Sequence, residues 1–98
     1  MDMKRGSAAE KRWFAAVASV EQCVLCGQYG VQVAHRNEGR GLGQKSLPCN
    51  TAALCPSCHH EIDNGKSLNR EERRAMMDRA IVLTHEAMAK AGILGIQG

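Results

Sequence analysis

Trp13, Val17 and Val20 recur at helical spacing through residues 7–21, and this period predicts an amphipathic helix. Ser7 stands where an N-cap would, with Glu10 three residues on. The pattern then changes. Tyr29-Gly-Val-Gln-Val-Ala-His35 alternates in the manner of a short strand that ends at the histidine. Residues 37–43 hold too much glycine to be regular. From Ser57 a short helix is expected, stopped by Asn64-Gly65, which sets His59 and Asp63 one turn apart on a single face. A longer helix over 70–91 opens at Asn69 with Glu72 three residues later, a capping-box signature, and ends near Gly92. Its Met76, Met77, Ala80, Ile81, Leu83, Ala87 and Met88 form a wide apolar stripe, which suits a core or a dimer interface better than chemistry. The expected plan is one domain over 1–98: helix 7–21, a glycine-rich centre 22–65, and helix 70–91.

With 98 residues and 3% aromatics, the core must be small, aliphatic and alanine-rich. A staple is expected, and the cysteines provide one. Cys23-x-x-Cys26 and Cys55-x-x-Cys58 each place two thiolates on one tight turn, and two such turns supply the four soft ligands of a closed tetrahedral Zn²⁺ site. Such a site contributes folding free energy on the order of 10 kcal/mol. Cys49 is the odd cysteine; a small packing residue beside the site suits it better than a fifth ligand. Paired CxxC motifs without a signal-peptide pattern indicate a reducing, cytoplasmic setting. No segment approaches the roughly 18 apolar residues of a membrane span. A thiol-redox role fits poorly, because two pairs that bracket a loop bind metal.

The formal charge of +3 is mild but uneven. Arg36, Arg40 and Lys45 lie in the centre, and Lys66, Arg70, Arg73, Arg74 and Arg79 follow the second CxxC. A polyanion at the centre would meet cations on both sides. For residues 66–79 a solvated helix face has equal standing, since Glu71, Glu72 and Asp78 are interleaved and can form i,i+4 pairs.

The ordered set Cys23-x-x-Cys26, Ala34-His35, and Asn50-Thr-Ala-Ala-Leu-Cys55-Pro-Ser-Cys58-His59 resembles the HNH endonucleases, also called His-Me finger or ββα-metal nucleases, over residues 23–63. Ala34-His35, Gly41-x-Gly43-x-Lys45 and Cys58-His59-His60-Glu61-Ile62-Asp63 are similar to the small phage and prophage recombination-associated nucleases of the Ref type. The resemblance implies a small α+β fold, a zinc-stapled ββα finger flanked by N- and C-terminal helices. It implies His35 as general base, Asn50 as the residue that orients it, and His59 as ligand of a catalytic Mg²⁺ or Mn²⁺. Phosphodiester hydrolysis needs such a base, and a cation for the pentavalent phosphorane and the departing oxygen. Asp63 is a plausible second ligand of that ion, while His60 is a lesser alternative as a metal or phosphate contact. DNA contacts fall to Arg36, Arg40 and Lys45.

Ala34 departs from the pattern, because most HNH proteins carry an aspartate or histidine ligand immediately before the base. The expectation is a metal-dependent DNA endonuclease without sequence specificity, acting in phage or prophage DNA processing alongside a recombination protein. The alternative is a catalytically weak or inactive zinc-stapled DNA-binding module on the same fold.

Overall fold

The structure is a computed structural model that describes residues 8–36, 49–65 and 67–93. Its elements run α1 (Ala8–Ala18), β1 (Gln32–His35), β2 (Thr51–Leu54), α2 (Pro56–Asn64) and α3 (Arg70–Lys90). This is a small α+β arrangement, a two-stranded sheet with three helices. Ser7, residues 37–48 with Arg40 and Lys45, and Lys66 lie outside the described residues.

Helix α1 stops three residues before the expected end. Glu21 adopts a left-handed backbone with φ 67, its carbonyl accepts the Gly30 amide at 3.0 Å, and Gln22 bridges Tyr29. The chain has already reversed into a small hairpin there, so a further helical turn has no room. Gly27 and Gly30, with φ 82 and 93, supply the left-handed positions that close this hairpin.

Strand β1 ends at His35 as the alternation predicts, and it pairs antiparallel with β2 in the register Val33↔Ala53 and His35↔Thr51. β2 has no strand signature in the sequence, because Thr-Ala-Ala-Leu carries little β preference. Tertiary hydrogen bonds hold it. The Ala53 amide donates to Thr84 Oγ1 at 3.1 Å, and the Ala53 carbonyl accepts the Val24 amide at 3.1 Å. The β2 edge that β1 leaves open is thereby closed by α3 and the first CxxC turn.

The two faces of the sheet carry different cores. Ala34, Ala52 and Leu54 pack with Cys23, Cys55, Ile62, Met77, Ala80 and Ile81 from the CxxC turns, α2 and α3. Ala53 packs on the other side with Val17 of α1 and Met88 of α3, flanked by Trp13 and Val33. Trp13 is half-buried, and its Nε1 donates to Thr51 Oγ1 at 2.9 Å. Four of the buried apolar residues are alanines, Ala34, Ala52, Ala53 and Ala80, in line with an alanine-rich core.

Helix α3 carries the complete capping box. The Asn69 side chain accepts the Glu72 amide and Glu72 accepts the Asn69 amide, each at 2.9 Å. At its other end Ile93 N–H reaches Met88 O and Gly92 N–H reaches Ala89 O, a Schellman closure with Gly92 at φ 78. Gly65 stops α2 for a different reason. Its φ is an ordinary −62, but a Cβ there would overlap the Glu61 carbonyl. No helix among the described residues is long and apolar enough to cross a membrane.

Candidate functional site

The sulfurs of Cys23, Cys26, Cys55 and Cys58 all lie within 4.8 Å of one another. Cys26 Sγ and Cys55 Sγ are 3.7 Å apart. A tetrahedral zinc with Zn–S bonds of 2.3 Å requires S···S edges of about 3.8 Å, so the cluster can hold a metal such as zinc. Among the described residues it is the one group of three or more candidate ligands gathered this closely.

Local sequence builds the cluster. Cys55 is the N-cap of α2, its Sγ accepts the Cys58 amide at 3.5 Å, and Pro56 follows where no amide donor is needed. On the other arm, Gly27 N–H bonds Cys23 O at 2.8 Å to close the turn. The thiols do not ionise alike. Burial opposes ionisation of Cys23, but the backbone amides of Cys55, Cys26 and Leu25 and the Cys26 side chain outweigh it and lower the thiol to about 6. Burial pushes Cys58 up, reinforced by the side chains of Cys55, Cys23 and Cys26. For Cys26 the Gln28 amide favours the thiolate, yet Cys55 and Cys23 beside it raise the thiol overall. The first charge thus settles on Cys23, while Cys26 and Cys58 keep their protons until a metal displaces them.

His59 follows Cys58 in the first turn of α2, where its amide donates to Cys55 O at 2.9 Å. Both ring nitrogens are engaged. Nδ1 is 2.8 Å from Gln32 Oε1, and Nε2 is 3.0 Å from Asp63 Oδ2. The i,i+4 spacing therefore brings His59 and Asp63 into contact, with both side chains about a quarter exposed, at 27% and 28%. Glu61 is directed elsewhere and accepts from Ser67 Oγ at 3.0 Å, and His60 is exposed.

His35 is exposed at the end of β1, and its ring meets Phe14 of α1 edge to face at a centroid distance of 5.2 Å. Asn50 stands opposite Arg36, whose amide donates to the Asn50 carbonyl at 3.0 Å, one position beyond the His35↔Thr51 pair. Ala34 is 1% exposed and packs in the core that includes Ile62. The position where the resemblance calls for a ligand thus faces α2 and is filled by a packing residue.

A cleft of about 470 Å³ brings His35 and Asp63 together. His35 at the end of β1 and Arg36 just after it, Ile62 and Asp63 from α2, Leu68 and Asn69 before α3, and Arg70, Arg73, Arg74 and Met77 from the first turns of α3 line it. Arg70, Arg73, Arg74 and Met77 share one face of α3, whereas Glu72 is taken up by the cap and Asp78 pairs with Arg36 at 3.2 Å. Arg73 donates to the Gly65 carbonyl through Nη2, while its Nε is buried with no hydrogen-bond partner among the described residues. A buried guanidinium N–H left open beside a cleft suits an anion. The i, i+3, i+4 spacing of the three arginines was the available signal for this face, and the interleaved acids obscured it.

Gln32 has no place in the sequence-derived site. Strand alternation puts positions 32 and 34 on the same side of β1, so Gln32 shares the side on which a ligand at position 34 would stand. No protein-family model, curated protein or solved structure matches this chain.

Proposed function

We propose that this protein is a metal-dependent nuclease of the HNH type, a zinc-stapled ββα finger that hydrolyses phosphodiester bonds in DNA. The observation that carries the proposal is the single cleft that gathers His35, Asp63 and four arginines, with His59 bonded to Asp63. The order strand, strand, helix, with the histidine at the end of β1 and the second at the start of α2, agrees with it.

The four cysteines would hold Zn²⁺ and fix the first turn of α2, and with it His59. His59 and Asp63 would hold a Mg²⁺ or Mn²⁺ ion. The fit is supported by the 3.0 Å Nε2···Oδ2 separation, which matches the edge of about 3 Å between neighbouring ligands in an octahedral shell with bonds near 2.1 Å. Such an ion supplies stabilisation of the phosphorane and the departing oxygen. Arg70, Arg73 and Arg74 seat the phosphate backbone along the same wall, with Arg36 beside them just past the end of β1. His35, exposed at the cleft, takes a proton from the attacking water, and Phe14 and the end of the ladder limit its motion. Cleavage without sequence preference belongs to this reading, because phosphate contacts position a strand and carry no sequence information.

The buried alanine at position 34 favours a second reading, a DNA-binding module that holds phosphate in the same cleft and cuts nothing. A plasmid-nicking assay with Mg²⁺ or Mn²⁺ separates the two. His35→Ala should lower nicking about 10²-fold or more while zinc content and DNA affinity stay at wild-type values. Absence of nicking in the zinc-loaded wild type, with DNA binding retained, leaves the binding module.

A further inference from the structure

Beside the cleft, behind Asp63, lies a polar contact that the proposed chemistry does not use, the bond between β1 and the His59 ring. Gln32 Oε1 lies 2.8 Å from His59 Nδ1. An amide oxygen can only accept, so Nδ1 carries the hydrogen in this arrangement. The opposite nitrogen then turns a lone pair toward Asp63 Oδ2, 3.0 Å away. Two electron-rich atoms at that distance repel each other unless a proton or a cation lies between them.

We infer that Gln32 is the positioning residue of the proposed divalent-metal site, holding the Nδ1–H of His59 so that Nε2 and Asp63 Oδ2 face one cation. The inference rests on reading His59 and Asp63 as ligands of that cation. Gln32 suits the part by its place in the fold. It lies on the side of β1 that Ala34 also occupies, at the strand position paired with Leu54 directly before the Cys55 cap of α2. Strand and helix are therefore locked together at the point where the ring must be aimed. With no ligand available from Ala34, two protein ligands must hold the ion, and the aim of each counts for more. Because Gln32 itself is exposed, the effect belongs at the lower end of what such supporting hydrogen bonds contribute, about tenfold in metal affinity.

The test uses the full chain loaded with zinc. Mn²⁺ binding is followed by the electron-spin signal of the free ion, and the His59 tautomer is read from ring ¹⁵N shifts without Mn²⁺ at one fixed pH. Gln32→Leu should weaken Mn²⁺ about tenfold and lose the Nδ1–H tautomer, while Gln32→Glu, which still accepts from Nδ1–H, should retain both. Zinc content and circular dichroism confirm that each variant is folded. Wild-type affinity and tautomer in Gln32→Leu, with Mn²⁺ binding lost in Asp63→Ala, overturns the role of Gln32 and leaves the metal site standing. Complete loss of Mn²⁺ in Gln32→Leu with the tautomer unchanged makes Gln32 a direct ligand and also overturns it. Equal Mn²⁺ behaviour of wild type and Asp63→Ala removes the metal site itself, and the inference with it.

Discussion

Removing the metal from the four-cysteine cluster tests how the fold is held. A structural zinc contributes about 10–16 kcal/mol in small peptides, whereas a domain typically has only about 5–15 kcal/mol of net stability. Here the apolar core offers few large side chains, with Val17, Leu54, Ile62, Met77, Ile81 and Met88 the main ones, so chelation should unfold the chain rather than loosen it. The thiols also set a pH dependence. At neutral pH Cys23, lowered to about 6, is already ionised, but Cys26 and Cys58 are raised and must each release a proton to bind. At least two protons leave, so affinity should fall by about 100-fold for each pH unit of acidification, and more steeply below about 6 once Cys23 also holds a proton. In the metal-free chain the depressed Cys23 favours the fold at high pH and loses that contribution as pH falls through about 6, while Cys26 and Cys58 act in the opposite sense. Competition with a chromophoric chelator between pH 6 and pH 8 gives the slope, roughly two decades per unit, and circular dichroism gives the fold. Zinc well below one per chain, an unchanged melt in excess EDTA, or a slope under one proton would each refute the reasoning.

Thr84→Val keeps the shape but removes the acceptor of the buried Ala53 amide, at a cost of about 1–3 kcal/mol, which lowers the melting temperature by about 5–20 °C; Thr84→Ser should recover most of it, and a Thr84→Val melt at the wild-type temperature would mean that the bond is idle. Phe14→Ala frees the His35 ring from an edge-to-face contact of about 0.5–1.5 kcal/mol, so kcat for nicking should fall about twofold to tenfold with KM and zinc content unchanged, and an unaltered kcat would show that the contact does not orient the base.

Punctuation was legible in the chain, and partnership was not. The two CxxC motifs, the Asn69 and Glu72 cap and the Gly65 and Gly92 stops are local signals, and each marks its feature within a residue or so. The contact between His59 and Asp63 followed from helical spacing alone. Strand β2 did not follow, because its residues favour a strand only once Thr84 and Val24 satisfy Ala53. The end of α1 was misplaced by the same cause: the hairpin that turns Glu21 left-handed depends on Gly30, which no helical period records. Gln32 and the arginine face of α3 needed the two strands and two helices to be seen side by side. Polar residues of that kind carry no pattern until the surfaces they join have met.

The small cluster of Val17, Ala53 and Met88 also sets the order of events during synthesis. These three residues come from α1, β2 and α3, so this core cannot close until residue 88 has left the ribosome, and nothing folded shelters the first thiol pair before then. At 5–20 residues per second, Cys23 and Cys26 wait on the order of seconds for Cys55 and Cys58 to appear. During that interval they stand as two thiols without their partners, and any metal they capture is held by half a site. Completion of the site is thus a late event, timed by the translation of the second half of the chain.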